Sequence, residues 1–162
     1  MRIHGKQVML RPPEPGDDVY ILSCENNRAH WAFSNRTEEI TAEDLREFRK
    51  NLGDFHSDGQ LRLLITNHEG VRVGIADLFA YDPHLLTAEV GILIYPERFR
   101  RNGLASESIK LMADLAFNVL GVEQLLARVQ PENLPSQQLF RQIGFLPASS
   151  SDSLTCWSLK KL

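Results

Sequence analysis

Only two cysteines, Cys24 and Cys156, occur among the 162 residues. They are far apart in the chain, which excludes a disulfide framework and reads as two free thiols in a reducing compartment. No stretch reaches the ~18 apolar residues of a membrane span. The opening Met1-Arg-Ile-His-Gly-Lys6 also lacks a long apolar run. The reading is a soluble, cytoplasmic protein with no membrane partner. Strong charge is missing too: the formal net charge is -3, which argues against a general nucleic-acid binder. No His or Cys spacing suits a metal, and no Ser-His-Asp pattern suggests an acyl-enzyme. Two phosphate-binding patterns are absent, Gly-x-x-x-x-Gly-Lys-Ser/Thr and Gly-x-Gly-x-x-Gly, so a P-loop and a dinucleotide site are excluded.

What is present is ordinary for a globular chain, with 43% apolar and 24% charged residues, enough to build a core without staples. The length suits one domain over residues 1–162. No internal repeat or long linker interrupts it.

The periodicity predicts the elements in turn. Val8–Arg11 is a short strand, closed by Pro12-Pro13 and Pro15-Gly16. Asp17 or Asp18 can cap a helix running to Asn26. Thr41-Ala-Glu-Asp44 resembles a capping box, opening a helix to Leu52 with Leu45, Phe48 and Leu52 on its apolar face. Residues 61–66 alternate as a strand, Asn67-His-Glu-Gly70 turns the chain, and residues 71–81 return as the second arm of a hairpin. Residues 88–95 form another strand, ended by Pro96. The strongest helix covers 106–120, with Ile109, Met112, Ala116 and Val119 on one stripe and Gly121 as its stop. A strand at 124–129, a helix at 134–143 stopped by Gly144, and strands at 145–146 and 155–159 complete the order, with the serine-rich 148–153 as a loop. The order β α α β β β α β α β β implies an α/β or α+β layer fold, its sheet mainly antiparallel with one parallel crossover.

The most informative segment is residues 88–108: a strand, then Arg98, Arg100 and Arg101, then Gly103, two small residues and a helix. A helix start exposes free N–H groups and partial positive charge. Gly103 allows unusual dihedrals and close backbone approach. The arginines add charge, so this is a place to hold a phosphate or pyrophosphate.

Arg100-Arg101-Asn102-Gly103-Leu104-Ala105 matches the pattern Arg/Gln-x-x-Gly-x-Gly/Ala. It resembles the coenzyme A pyrophosphate loop of the GNAT superfamily of N-acetyltransferases. Asn133-Leu-Pro-Ser136, Leu139-Phe140 and Gly144-Phe145 are similar to a second signature of that superfamily, and Leu10-Arg11-Pro12 with Asp17 to its first strand and turn. The resemblance spans nearly the whole chain. It is nearest to the branch with ribosomal-protein alanine acetyltransferases and spermidine or diamine acetyltransferases.

The resemblance implies a central, mostly antiparallel mixed sheet of about seven strands with about four helices, and acetyl-CoA as acyl donor. The acceptor would be a primary amine, either polyamine-like or a protein N-terminus, attacking the thioester directly. Backbone groups of Ile92, Leu93 and Ile94 would pair with the pantetheine arm. Amides of Arg100, Arg101, Asn102, Gly103, Leu104 and Ala105 would hold the pyrophosphate, with Ser106 adding a hydroxyl. Asn133 and Ser136 would bind the cofactor edge.

Glu89, a lone acid in an apolar strand, is the candidate base or amine-positioning group; the alternative is a strand-end carboxylate in water. Many family members place a tyrosine where this chain has Phe140, and phenylalanine cannot protonate the leaving thiolate. Tyr95 is the substitute candidate, or simply a packed aromatic. Glu25 and Trp31, with Glu38 and Glu39, are candidates to receive a cationic amine; a hydrophobic anchor with solvated acids is the alternative. Family members often form dimers, so a homodimer is an expectation. A coenzyme A-binding sensor or accessory domain with little turnover is the competing function.

Overall fold

Alternating apolar residues on either side of Asn67–Gly70 form a hairpin at the centre of the fold. The computed structural model describes residues 1–31, 37–151 and 154–162. Among these, eight strands make one sheet: β1 (Ile3–His4), β2 (Val8–Arg11), β3 (Leu61–Asn67), β4 (Arg72–Asp82), β5 (Thr87–Ile94), β6 (Gln124–Val129), β7 (Leu146–Ser151) and β8 (Leu154–Lys160). Their spatial order is β1-β2-β3-β4-β5-β6-β8-β7. Neighbours run antiparallel except β5 and β6, which are parallel because a helix crosses between them. The helices are α1 (Asp18–Glu25), α2 (Arg28–Trp31), α3 (Ala42–Lys50), α4 (Phe55–Asp58), α5 (Leu104–Asn118) and α6 (Leu134–Ile143).

The sheet has two covered faces. On one, Val8, Leu63, Ile65, Val90 and Leu125 pack under Ile109 and Met112 of α5 and Phe140 of α6. On the other, Leu64 and Ile75 pack under Ile21 and Cys24 of α1 and Leu45 of α3. Each fully buried aliphatic or aromatic side chain contributes roughly 1.5–3 kcal/mol, so the larger face carries most of the stability.

The sequence reading of β5, β6 and α6 matches closely, and the 41–44 capping box is present. The Asp44 amide donates to Thr41 Oγ1 at 3.0 Å and the Thr41 amide to Asp44 Oδ2 at 2.9 Å. Four expectations change. The serine-rich segment is strand β7 as far as Ser151, because pairing with β8 satisfies its backbone; residues 152–153 lie outside the described residues. Short elements β1, α2 and α4 were not foreseen, being too brief to show a period. Val119 is 71% exposed just past the end of α5, while Phe48 on α3 and Leu52 beyond its end are 43% and 38% exposed, so of the expected apolar face only Leu45 is buried.

Asp17 does not cap α1 with its side chain. It accepts from Arg11 at 2.7 and 2.9 Å, from Arg72 at 2.7 Å and from the Glu14 amide at 2.7 Å. The motif Leu10-Arg11-Pro12…Asp17 is therefore a bolt between β2, the turn and β4. Burial alone would raise the Asp17 pKa, but the two guanidinium groups and the amide outweigh it and hold the carboxyl well below the usual range.

Candidate active site

Strands β5 and β6 pair only at Thr87↔Gln124, Ala88↔Leu125 and Glu89↔Leu126. Beyond that rung β5 continues to Ile94 against β4, and β6 continues to Val129 against β8. The two strands part, leaving an open backbone edge on β5. The Tyr95 amide donates to the Val73 carbonyl on the β4 side at 3.0 Å. By the alternation of an antiparallel ladder, Leu93 then also faces β4, while Ile92 and Ile94 turn their N–H and C=O groups to the gap. Of Ile92, Leu93 and Ile94, the outer two thus reach the open edge and Leu93 does not. The Ile94 carbonyl is taken by Arg100 Nε at 3.0 Å.

Arg100 also lies 3.7 Å from Glu97, so its guanidinium ties the basic loop to the end of β5. Arg101 and Gly103 have φ of 65° and 80°, and Gly103 is the N-cap of α5. A left-handed φ explains the glycine, since a side chain there would be strained. As N-cap, Gly103 has no side chain with which to claim the amides of Leu104, Ala105 and Ser106. Asn102 lies in the same tight turn.

Downstream, the Asn133 side-chain oxygen accepts from the Ser136 amide at 3.3 Å and caps α6. This uses the oxygen and leaves the amide nitrogen available. Phe140 is 4% exposed, its ring 5.0 Å from that of Phe145 in the main core, so it serves packing.

Glu89 is not a lone acid. Its Oε1 lies 3.0 Å from Arg128 Nε on β6, just past the last shared rung. Its Cα partner on the other side is Phe79 of β4. Tyr95 lies on the same side of the strand as Glu89, but roughly 20 Å further along at about 3.3 Å per residue. Its ring meets His30 edge-on at 5.1 Å, and its carbonyl accepts from Tyr20 at 2.6 Å. The candidate for the amine proton and the candidate for the leaving thiolate therefore lie well apart along the strand.

The acceptor candidates sit on the same face as Glu89. Glu25 is 2.9 Å from Arg62, which also forms a two-pronged bond to Asp77 at 2.8 and 2.9 Å. Burial would lower the Arg62 pKa, yet Asp77 and Glu25 outweigh it and raise it above the ordinary arginine value. Trp31 donates Nε1 to the Glu25 carbonyl at 2.8 Å, and Arg28 lies over its ring at 5.5 Å. That makes Trp31 an anchor for the end of α1. Glu38 and Glu39 are exposed and do not line the cleft described below.

Residues 7–146 match the family model for the acetyltransferase (GNAT) domain. The chain belongs to the GNAT acetyltransferase family. The donor of these enzymes is acetyl-CoA. A Bacillus subtilis (strain 168) relative, the uncharacterized N-acetyltransferase YnaD, is 29% identical over 148 residues, covering 89% of this chain and 82% of its own. Spermidine N-acetyltransferase from Vibrio cholerae, solved with CoA and spermine, shares the fold at TM-score 0.82 and 20% identity, over 95% of this chain and 94% of its own. Ribosomal-protein-S5-alanine acetyltransferase from Vibrio fischeri does so at TM-score 0.84 and 13% identity, over 99% and 96%.

Sequence reasoning missed four groups of this acetyltransferase on the face that carries Glu89: Arg128 and Phe79 beside it, and the Arg62–Asp77 pair further across β4 and β3. A signal existed for two of them. Arg62 and Asp77 interrupt otherwise apolar strands, as Glu89 does. Their pairing needs the β3–β4 register, Arg62↔Asp77, which the sequence does not display. Among the described residues no group of three or more His, Cys, Asp or Glu could hold a metal ion, and no helix is long and apolar enough to cross a membrane.

Proposed function

We propose that this acetyltransferase, with residues 1–162 as one catalytic domain, moves an acetyl group from acetyl-CoA to a primary amine by direct attack. The observation that carries the reading is the parting of β5 and β6 beyond Glu89 and Leu126. Coenzyme A fits three features there: the free β5 edge, the uncapped start of α5 behind Gly103, and the Asn133 amide nitrogen. Ile92 and Ile94 would hold the pantetheine arm. The turn from Arg100 to Ala105 with Ser106 would hold the pyrophosphate, and Asn133 with Ser136 the cofactor edge.

Acetyl-CoA supplies the thioester when bound. Glu89 takes the proton from the incoming ammonium, directly or through one water, because a protonated amine has no lone pair to attack with. Arg128 holds that carboxylate in one orientation. The Ile92 N–H meets the negative charge that develops on the carbonyl oxygen. Phe140 has no proton to give, so the leaving thiolate takes one from water. Tyr95, roughly 10 Å along the strand from Ile92, serves packing.

The test is a panel of amines with mass-spectrometric detection of acetylated product and measurement of released thiol. Product formation that depends on both acetyl-CoA and amine supports the reading. The buried Phe140 favours one second reading, a coenzyme A sensor with little turnover. Thermal stabilisation by acetyl-CoA with no thiol release from any amine would decide for the sensor.

A further inference from the structure

A cleft of about 520 Å³ opens between α3 and strands β3 and β4, on the face of the sheet that carries Glu89. That volume lies within the range of small-molecule sites. Phe48 of α3 and Leu52 just beyond it form one wall, and Phe79 of β4 stands at the end nearest Glu89. Phe48 is 43%, Phe79 39% and Leu52 38% exposed, so each has apolar surface that a ligand in the cleft would remove from water.

Phe79 decides what lies next to Glu89. The two are Cα partners across the β4–β5 ladder, so their side chains are neighbours on one face. The next residue of β5 on that face is Gly91, which has no side chain. A Cβ built there would lie 3.4 Å from Phe79 Cε1, so the ring leans along the strand and borders the space over Gly91. Asp77, the partner of Gly91 on β4, turns the other way: its two carboxylate oxygens accept from Arg62 on β3 at 2.8 and 2.9 Å. The backbone groups of Gly91 point to β4 by the same alternation that directs Leu93 there. On its β4 side, the space beside Glu89 is thus bordered by an aromatic ring, and the N–H of Gly91 is turned away from it.

An amine that reaches Glu89 from the cleft lays the carbons next to its nitrogen along that ring. Methylene groups in this place gain by covering the ring. An ether oxygen or a carbonyl there gives up its hydrogen bonds to water and finds no donor on the ring or on Gly91 in return. Arg128 approaches Glu89 from β6, on the far side of the carboxylate from Phe79.

We propose that Phe79 is a specificity-determining residue of the acceptor site, and that the acceptor is a primary amine borne on a hydrocarbon chain. The first carbons of that chain lie on the Phe79 ring, and the chain continues between Phe79 and the wall made by Phe48 and Leu52. The inference rests on the reading of this chain as an amine acetyltransferase. It deepens that reading by selecting an alkyl amine over a protein N-terminus, whose amine-bearing carbon carries a carbonyl.

The experiment measures kcat/KM from thiol release at saturating acetyl-CoA for ethylamine, butylamine, 2-methoxyethylamine and an alanyl peptide. Butylamine and 2-methoxyethylamine have the same length and one amine each, and differ by a methylene exchanged for an oxygen. Butylamine should exceed ethylamine by about tenfold, since each fully buried methylene is worth about fourfold. It should exceed 2-methoxyethylamine and the peptide by at least about fivefold. Any one of the three matching butylamine overturns the proposal. Phe79→Ala should bring butylamine and 2-methoxyethylamine to within about twofold of one another, because the ring that distinguishes them is gone. Phe79→Leu, which restores an apolar side chain, should recover most of the preference, and Val119→Ala, at an exposed position outside the cleft, should leave it unchanged. The Kd for coenzyme A should stay within about twofold in all three variants, as expected for a change confined to the acceptor side. A preference in Phe79→Ala equal to the parent's also overturns the proposal, and the comparison of amines on the parent protein stands even if that variant does not fold. If acetyl-CoA is consumed with another class of amine, only this inference fails. If acetyl-CoA neither binds nor is consumed, the acetyltransferase reading fails with it.

Discussion

Glu89, on the last rung that joins β5 to β6, reaches Arg128 two residues beyond that rung on β6, with Oε1 and Nε 3.0 Å apart. The carboxylate is thus fixed where the strands begin to part, on the cleft side of the sheet. Glu89→Gln keeps the shape and removes the proton acceptor. Turnover should fall about 100-fold or more, in line with the loss of a general base, while the Kd for coenzyme A stays within about twofold. Steady-state thiol release and titration calorimetry check both halves, and an unchanged kcat would remove Glu89 from the mechanism.

Gly103 has φ of 80° at the start of α5. A valine there carries the steric cost of a β-branched residue in the left-handed region, about 1–2 kcal/mol, and distorts the turn expected to hold the pyrophosphate. Gly103→Val should weaken coenzyme A about tenfold or more with kcat at saturation largely retained. Normal cofactor affinity in a folded variant would disconnect this turn from the pyrophosphate.

Gly74 sits on β4 opposite Ile94, and a Cβ built there collides with the backbone carbonyl of Leu93. Backbone cannot swing aside as a flexible side chain can. Gly74→Ala should cost about 1–3 kcal/mol in urea denaturation and disturb the free edge of β5, so coenzyme A affinity should fall with it. A variant as stable as the parent would show that β4 and β5 can shift apart at no cost.

The Arg11–Asp17–Arg72 bolt makes a pH statement. The folded-state pKa of Asp17 lies below its usual value of 3.8. Its contribution is therefore fully present above pH ~4–5 and is lost as pH falls towards the depressed folded value. Asp17→Asn should destabilise the protein by about 3 kcal/mol at neutral pH, because two guanidinium groups lose their shared partner. The stability difference from the parent should shrink as the solution is acidified below pH ~4. A difference that stays constant down to pH ~2 would contradict the linkage.

Cys24 is 1% exposed and Cys156 6% exposed. Burial pushes the Cys24 thiol up to about 11. Thiolate, the reactive form, is then scarce and shielded at neutral pH. Native protein should react slowly with a thiol reagent, and two equivalents should be released on denaturation. Rapid labelling of the folded chain at Cys24 would show that α1 opens readily.

Local patterns were legible without coordinates. The strands at 124–129 and 134–143's helix, the 41–44 capping box and the turn before α5 each depend on neighbours within a few residues, through side-chain period, capping oxygens or glycine's dihedral freedom. What escaped depends on partners far apart in the chain. Phe48 and Leu52 have the spacing of a buried face, yet nothing in the sequence says that their side of the sheet opens into a cleft. The serines of β7 look like a loop until β8 supplies their hydrogen bonds.

The sequence by itself determined the fold family and, through it, the donor, because the motifs that carry them rest on contiguous residues whose chemistry is local. Only the tertiary structure decided that Glu89 has an arginine partner, that Leu93 faces β4 while Ile92 faces the gap, and that Glu25 is joined through Arg62 to Asp77. These depend on strand register, and a shift of one residue would reverse every side chain from one face to the other.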